Sequence, residues 1–225
     1  MTDVYALDLH THTRFFHWQK GTPTRYDPFG TRLLEAVAAR RDLDGVALTN
    51  HDYYRPYGRD EAVVSIPGIE VSTTRGHVLV VGPDPPTDTE PGQPSPTAVA
   101  ETAHDRGCAA ILAHPYRNST VADTTAAMDA VEVNGKHPGR RGMVERLADD
   151  LDLPVVGGSD AHYPFEVGRA YTAIDADELT AAAVVDAIRD GRVEPRVDDR
   201  LSTRLVQAAY DRVHAYKGHD SARDG

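Results

Sequence analysis

The histidines of this chain occupy positions at which side chains could do chemistry. Seven of the eleven lie at or beside the ends of short aliphatic runs that are typical of β-strands. Functional side chains of parallel β/α proteins gather at the carboxyl ends of the strands, so these imidazoles can converge although they are distant in sequence. They are His10, His12, His17, His51, His77, His114 and His162. His77 fits less well because it begins its run.

Carboxylates accompany these histidines at a regular spacing. In DLHTHT the residues Asp8, His10 and His12 are two apart, which on a strand means one face. Glu70 ends the aliphatic run IPGIEV, where a carboxylate would be costly to bury without a cation. Mixed imidazole and carboxylate ligands favour Zn, Mn or Fe over Ca or Mg. The nine candidates, which are the seven histidines with Glu70 and Asp160, are enough for two or three divalent ions.

Basic residues follow several of the candidate ligands. A basic rim around a metal cluster in an acidic chain indicates an anionic substrate, of which phosphate is the commonest. The residues are Arg14, Arg117, Lys136, Arg140, Arg141 and Arg169, and any single one of them is more often a solvated or structural cation than a substrate contact. Asp8 and Asp52 are candidates to orient His10 and His51, although Asp52 fits a turn role equally well. The remaining histidines, His104, His137, His214 and His219, are predicted to lie on the surface.

The elements that must position these residues alternate along the chain. Strands are predicted at VYALDLH, GVALTN, GIEVST, HVLVVG, CAAILAH, AVEVNG, LPVVGGSD and RAYTAID. Amphipathic helices are predicted over Thr31–Arg41, Thr97–Arg106, Arg140–Asp150 and Glu178–Asp190, with Ser95 and Pro96 starting the second and Gly191 ending the fourth. This alternation indicates parallel β/α units, and hence an open doubly wound sheet or a barrel.

The composition limits the possible functions. A chain of 225 residues with 40% hydrophobic and 26% charged residues is typical of one folded domain, or at most two small ones. The net charge of −11 disfavours binding to long polyanions. The single cysteine, Cys108, lies in an apolar run and is expected in the core. With no long apolar stretch and no basic leader at its start, the chain is expected in the cytoplasm.

In its ordered motifs the sequence resembles the PHP domain, named for polymerases and histidinol phosphatases. These motifs are DLHTHT, LTNHD, IPGIEVST, GHVLVVG, AHPYR, VEVNG and GSDAHYPFEVGRAYT. The resemblance implies an α/β fold, a distorted TIM-like (β/α) barrel in a single domain over residues 1–200, followed by a C-terminal helix and frayed tail over 201–225. Two positions depart from the family pattern: Asn50 replaces an aspartate beside a ligand, and His17 stands where many relatives carry aspartate.

The resemblance also implies a ligand set. His10 and His12 with Asp160 hold one metal, Glu70 bridges it to a second held by His77 and His114, and His17, His51 and His162 hold a third. The expected function is a phosphoesterase that uses metal-bound hydroxide on a small metabolite, a nucleotide or an oligonucleotide end. Glu70, Asp160, His162 and Arg117 are its expected catalytic residues. The alternatives are another metallohydrolase on the same barrel, for which a metal-bridging lysine on a strand would be usual, and a non-catalytic binding module.

Overall fold

The computed structural model describes residues 3–13, 28–56, 63–117 and 119–198. Within these ranges the chain forms strands β1 (Asp3–Thr11), β2 (Gly45–Leu48), β3 (Val64–Thr73), β4 (Gly76–Val81), β5 (Ala109–Ala113), β6 (Ala130–Asn134), β7 (Val155–Gly158), β8 (Ala170–Ala176) and β9 (Val193–Val197). It also forms helices α1 (Pro28–Arg40), α2 (Pro96–Asp105), α3 (Arg141–Leu151) and α4 (Ala181–Arg189), with three short 3₁₀ turns. The helix and tail predicted over 201–225 lie outside the described residues.

The predicted elements are present at the predicted places. All eight predicted strands and all four predicted helices form, with ends that differ by one to a few residues. The hydroxyl of Ser95 accepts a hydrogen bond from the backbone N–H of Ala98, which caps α2, and Pro96 is its first residue. Gly191 follows α4 with a φ of 68°, as a residue that ends a helix commonly does. The ninth strand, VEPRV, is absent from the predicted set, and it contains Pro195, a residue that is uncommon inside strands.

The strands form one mixed sheet in the order β7-β6-β5-β4-β3-β2-β1-β8-β9. Two parallel groups, β1-β2-β3 and β5-β6-β7, are joined by β4, which is antiparallel to both of its neighbours. β8 and β9 continue the sheet in antiparallel pairing beyond β1. The carboxyl ends of the two parallel groups therefore meet at one edge.

The sheet curls so that β7, at one end of the strand order, approaches β8 and β9 at the other end. Thr172 of β8 accepts a hydrogen bond from the backbone N–H of Gly157 in β7 at 2.8 Å and donates one to the Gly157 carbonyl at 2.9 Å. β7 also contacts β9. The result is the nearly closed, distorted α/β barrel that the sequence predicts.

Apolar side chains fill the barrel and pack the helices outside it. Leu7, Leu9, Ile66, Leu79 and Ile111 are fully or almost fully buried in the interior cluster, which the buried face of α4 joins. α1 packs against β2, and α2 and α3 pack against the strands of the second parallel group. No helix in the described ranges is both long and apolar enough to cross a membrane.

Candidate metal centre

The predicted ligands meet at the carboxyl edge of the barrel. His10 and His12 lie at the end of β1, His51 follows β2, His114 follows β5, and Asp160 and His162 follow β7. His77 joins them because β4 runs antiparallel to β3 and β5, so that its first residues lie at this same edge. The apparent misfit of His77 in the sequence is thus a consequence of strand direction. His17 and Arg14 lie outside the described residues.

Glu70 is the centre of the cluster and is fully buried. Its two carboxylate oxygens face different imidazoles. Oε2 lies 3.2 Å from His10 Nε2, 3.3 Å from His12 Nε2 and 3.0 Å from His51 Nδ1. Oε1 lies 2.7 Å from His77 Nδ1 and 3.0 Å from His114 Nε2. Each oxygen can therefore take part in a separate group of ligands.

Asp160 forms a second, more cationic corner. Its Oδ1 lies 3.4 Å from His12 Nε2, 3.1 Å from His162 Nδ1 and 3.1 Å from Lys136 Nζ. Its Oδ2 accepts a hydrogen bond from Arg117 Nη1 at 2.6 Å. Of the predicted basic rim, Arg117 and Lys136 therefore reach the candidate ligands directly.

The surrounding cations favour the ionised form of both carboxylates. Burial acts to raise the pKa of Glu70, but the charges of His51, His10 and His77 outweigh it and hold that pKa well below its usual value. Burial of Asp160 is likewise outweighed by Lys136 and Arg117, so the pKa of Asp160 is also well below normal. Two buried carboxylates that stay ionised are suited to hold divalent cations.

The unpaired atoms of the cluster fit a metal ion. Within the described ranges, His10 Nε2, His12 Nε2 and Glu70 Oε2 are buried atoms that make no hydrogen bond, and Asp160 Oδ1 has only ion-pair contacts. Buried polar atoms are normally satisfied, and here they point towards one another. Three sets place their ligand atoms within 4.8 Å of each other: His10, His12 and Glu70; His51, Glu70 and His77; and His12, His51 and His162. These nitrogen and oxygen donors are those that Zn, Mn and Fe accept.

Glu132 belongs to the site and was missed by the sequence analysis. It lies in β6 with 1% of its surface exposed, and its Oε1 is 2.7 Å from His10 Nδ1. Its Oε2 accepts a hydrogen bond from the backbone N–H of His114 at 2.8 Å. A carboxylate on Nδ1 fixes the orientation of the imidazole and leaves Nε2 to face Glu70. One residue thus positions ligands from two strands.

Asp8 holds the backbone of His10 and not its ring, so it does not orient the imidazole as predicted: Asp8 Oδ1 accepts a hydrogen bond from the His10 N–H at 3.3 Å. The register between β1 and β2 shifts between Asp8 and Thr11, and this irregularity breaks the strict alternation that would put Asp8 beside His10 and His12. The Asp8 carboxylate also accepts hydrogen bonds from the backbone N–H groups of Ser159 and Gly168 at 2.9 and 2.7 Å. Burial raises the pKa of Asp8 to about 6. Asp8 therefore joins β1 to the two loops around Asp160.

Asp52 has the turn role, which was the alternative to orienting His51. It has a φ of 55°, and its Oδ1 accepts hydrogen bonds from the Ser72 backbone at 2.9 Å and the Thr89 hydroxyl at 2.7 Å. His137 and His104, both predicted to lie on the surface, have intermediate exposure. His137 is partly buried, and burial with the nearby charges of Arg117 and Arg140 lowers its pKa to about 4.

The centre opens to solvent through a cavity of about 240 Å³. Its lining combines candidate ligands with one arginine and small residues: His51, Gly76, His77, His114, Arg117, Ser119 and His162. The Arg117 side chain is 40% exposed and reaches this opening. A small anionic molecule could therefore reach the ligands and the guanidinium together.

Comparison with known proteins supports the fold and finds a PHP-associated segment. A family model described as PHP-associated matches residues 138–193. The structure is similar to PsfC of Pseudomonas syringae, with a TM-score of 0.70 and 18% identity over 94% of this chain and 99% of that one. It is also similar to a two-domain protein of Bacteroides vulgatus that contains a predicted PHP-like metal-dependent phosphoesterase, with a TM-score of 0.59 and 21% identity over 87% of this chain and 65% of that one. The matched segment is PHP-associated, and the fold of the chain is that of these PHP-like structures.

A third similar structure extends the range of proteins that share this PHP fold. It is the lesion-specific endonuclease PfuEndoQ of Pyrococcus furiosus, with a TM-score of 0.57 and 17% identity over 84% of this chain and 56% of that one. A search of curated protein sequences finds no match. At these identities the likeness concerns the fold alone, and the chemistry of this chain depends on its own residues.

Proposed function

We propose that this protein is a metal-dependent phosphoesterase of the PHP type that hydrolyses a phosphate ester of a small metabolite, a nucleotide or an oligonucleotide end. The observation that carries the proposal is the position of Glu70. A fully buried carboxylate whose two oxygens face separate groups of imidazoles is suited to join two divalent ions. Paired ions of this kind act on phosphate esters because they neutralise charge on both the attacking and the leaving oxygens.

Each residue has a proposed part in holding these ions. His10, His12 and Asp160 would hold one ion and His77 and His114 a second, with Glu70 contributing to both, and His17, His51 and His162 would be the remaining ligands. Two to three Zn, Mn or Fe ions in these positions would supply activation of the attacking water and neutralisation of phosphoryl charge. Glu132 holds the His10 ring and the His114 backbone, so that these ligands are positioned before substrate binds.

The substrate class follows from the charges around the cavity. The guanidinium of Arg117 can donate hydrogen bonds to a phosphoryl oxygen at the opening. A cavity of about 240 Å³ accepts a phosphoryl group with part of a leaving group. The acidic remainder of the chain, at a net charge of −11, disfavours the continuous backbone contacts that a long duplex needs. Small phosphate esters and strand ends are therefore favoured.

The two alternative functions have less support. A lysine inside a strand would favour an amide-cleaving metallohydrolase, and the nine described strands contain none. A binding module would be expected to have lost ligands, whereas eight of the nine predicted ligands lie together in the described part of the chain. Both observations favour a working phosphoesterase.

The test uses metal-free protein loaded in turn with Mn, Zn and Fe, and assayed on phosphomonoesters, phosphodiesters, short oligonucleotides and a circular plasmid. We expect turnover of small or terminal phosphate esters. Glu70→Gln keeps the size of the side chain but removes its charge, so it should lower turnover more than about 100-fold and reduce the metal content.

Asp52→Asn is the matched control, because it makes the same chemical change at a carboxylate whose hydrogen bonds, among the described residues, go to the Ser72 backbone and Thr89. We expect it to keep most of the activity. Retention of most of the activity by Glu70→Gln would contradict the proposed centre. Plasmid cleavage that disappears in Glu70→Gln would instead contradict the proposed substrate class.

A further inference from the structure

Lys136 places a basic side chain inside the candidate metal centre. It follows β6 by two residues, and its side chain is 4% exposed. Its Nζ lies 2.7 Å from His162 Nδ1 and 3.1 Å from Asp160 Oδ1. An ammonium group has hydrogen-bond donors and no lone pair. It therefore faces the ring nitrogen and the carboxylate oxygen in the way that a metal ion would.

Arg117 adds a second positive charge to the same corner. Its Nη1 lies 2.6 Å from Asp160 Oδ2, while Lys136 lies at Oδ1. The single negative charge of Asp160 is thus shared by two side-chain cations. A divalent ion bound at His162 would face both of these charges in a site where burial leaves little screening by water.

The corner around Glu70 has the opposite character. In the described ranges the ion-pair partners of Glu70 are imidazoles alone: His10, His12, His51, His77 and His114. An imidazole binds a metal ion in its neutral form, so the charges that these rings carry beside Glu70 leave as protons when an ion binds. The centre is therefore asymmetric. The half around Glu70 is lined by imidazoles and can take divalent ions, whereas the half around Asp160 contains the side-chain cations of Lys136 and Arg117.

We propose that Lys136 is a built-in cation of the centre that occupies the corner between Asp160 and His162 and limits the protein to two divalent ions, both bound around Glu70. The inference rests on the proposed metal-dependent function and narrows it from two or three ions to two. Lys136 acts as a positioning residue: it holds Asp160 and His162 in place without an ion between them.

The test counts bound ions and does not use activity. Metal-free protein is equilibrated with Mn²⁺ by dialysis, and manganese per chain is measured by elemental analysis for the wild type, Lys136→Met and Lys136→Arg. We expect two ions in the wild type, three in Lys136→Met, which removes the charge at similar length, and two in Lys136→Arg, which restores it. Circular dichroism and thermal melting establish that each variant is folded.

The outcomes separate this inference from the proposed function. No bound manganese in the folded wild type would overturn both. Three ions in the wild type, or two ions in the wild type and also in folded Lys136→Met, would overturn the inference and leave the proposed function standing. Lys136→Gln repeats the measurement if Lys136→Met does not fold, and the wild-type count tests the inference without any variant.

Discussion

Glu132 illustrates how one buried side chain can organise ligands that are far apart in sequence. Its two oxygens contact the ring of His10 in one strand segment and the backbone of His114 in another. His114 has a φ of 31°, a conformation that is uncommon for a residue with a side chain. The hydrogen bond from its N–H to Glu132 helps to hold that conformation. The ligand geometry therefore depends on a residue that faces no substrate.

Glu132→Gln tests this dependence. The amide keeps the size of the side chain, but it offers one acceptor oxygen where the carboxylate serves both His10 and the His114 N–H. We expect metal affinity to fall by about 10- to 100-fold, as measured by competition with a chelator. Glu145→Gln is the control, since Glu145 is 44% exposed and pairs with Arg141 on the outside of α3. Equal affinities in the two variants would contradict the role of Glu132.

Single residues differ in how well the sequence predicts them. Glu70 could be predicted because a carboxylate in an aliphatic run must find a cation, and the same signal was present for Glu132 in AVEVNG. The roles of Asp8 and His137 could not be predicted, because each depends on contacts across the fold: with the loops at Ser159 and Gly168 for Asp8, and with Arg117 and Arg140 for His137.

Among the elements, β7 approaches its neighbours unusually closely. A Cβ at Gly158 would lie 2.4 Å from Glu132 Oε1 and 2.5 Å from His10 Cβ. Such distances are too short for real atoms, so any side chain at this position must displace Glu132 or the end of β1. The close packing at the end of β7 therefore helps to keep His10 and Glu132 in contact.

Gly158→Ala should therefore damage both the fold and the site. We expect the free energy of unfolding to fall by about 1–3 kcal/mol, as is typical of overpacking, with a simultaneous loss of metal affinity. Denaturant unfolding and chelator competition measure the two effects. Gly139→Ala is the control, because nothing lies within 4 Å of its added methyl group. If the two variants match in stability, the proposed close packing is wrong.

The elements themselves were largely predictable, whereas their directions were not. Short aliphatic runs and amphipathic spacing located eight strands and four helices. The same patterns do not show whether neighbouring strands run parallel, and β4 and β8 run antiparallel to the strands beside them. The reversed direction of β4 places His77 at the site. The irregularity between Asp8 and Thr11 was equally invisible, because it arises from pairing with β2.

At the scale of the whole molecule, charge is distributed unevenly. The chain has 35 acidic against 24 basic residues, yet two cations, Lys136 and Arg117, lie at Asp160 in the centre. An acidic body with a cationic opening attracts small anions at short range and repels long polyanions. The composition carries a second signal, since only three of the basic residues are lysines and aspartate outnumbers glutamate by 25 to 10. This bias resembles that of salt-adapted proteins.

Salt should stabilise this protein through the same excess of acidic charge. A net charge of −11 on one domain creates repulsion among carboxylates, and the distance over which it acts shrinks from about 30 Å at 0.01 M salt to about 3 Å at 1 M. We expect Tm to rise from low to molar KCl, by about 2–4 °C for each kcal/mol of repulsion removed. Thermal melts across KCl concentrations measure this, with an uncharged osmolyte at matched osmolality as the control for effects other than screening. A Tm that stays flat or falls in KCl would contradict salt adaptation, and it would leave the metal centre untouched.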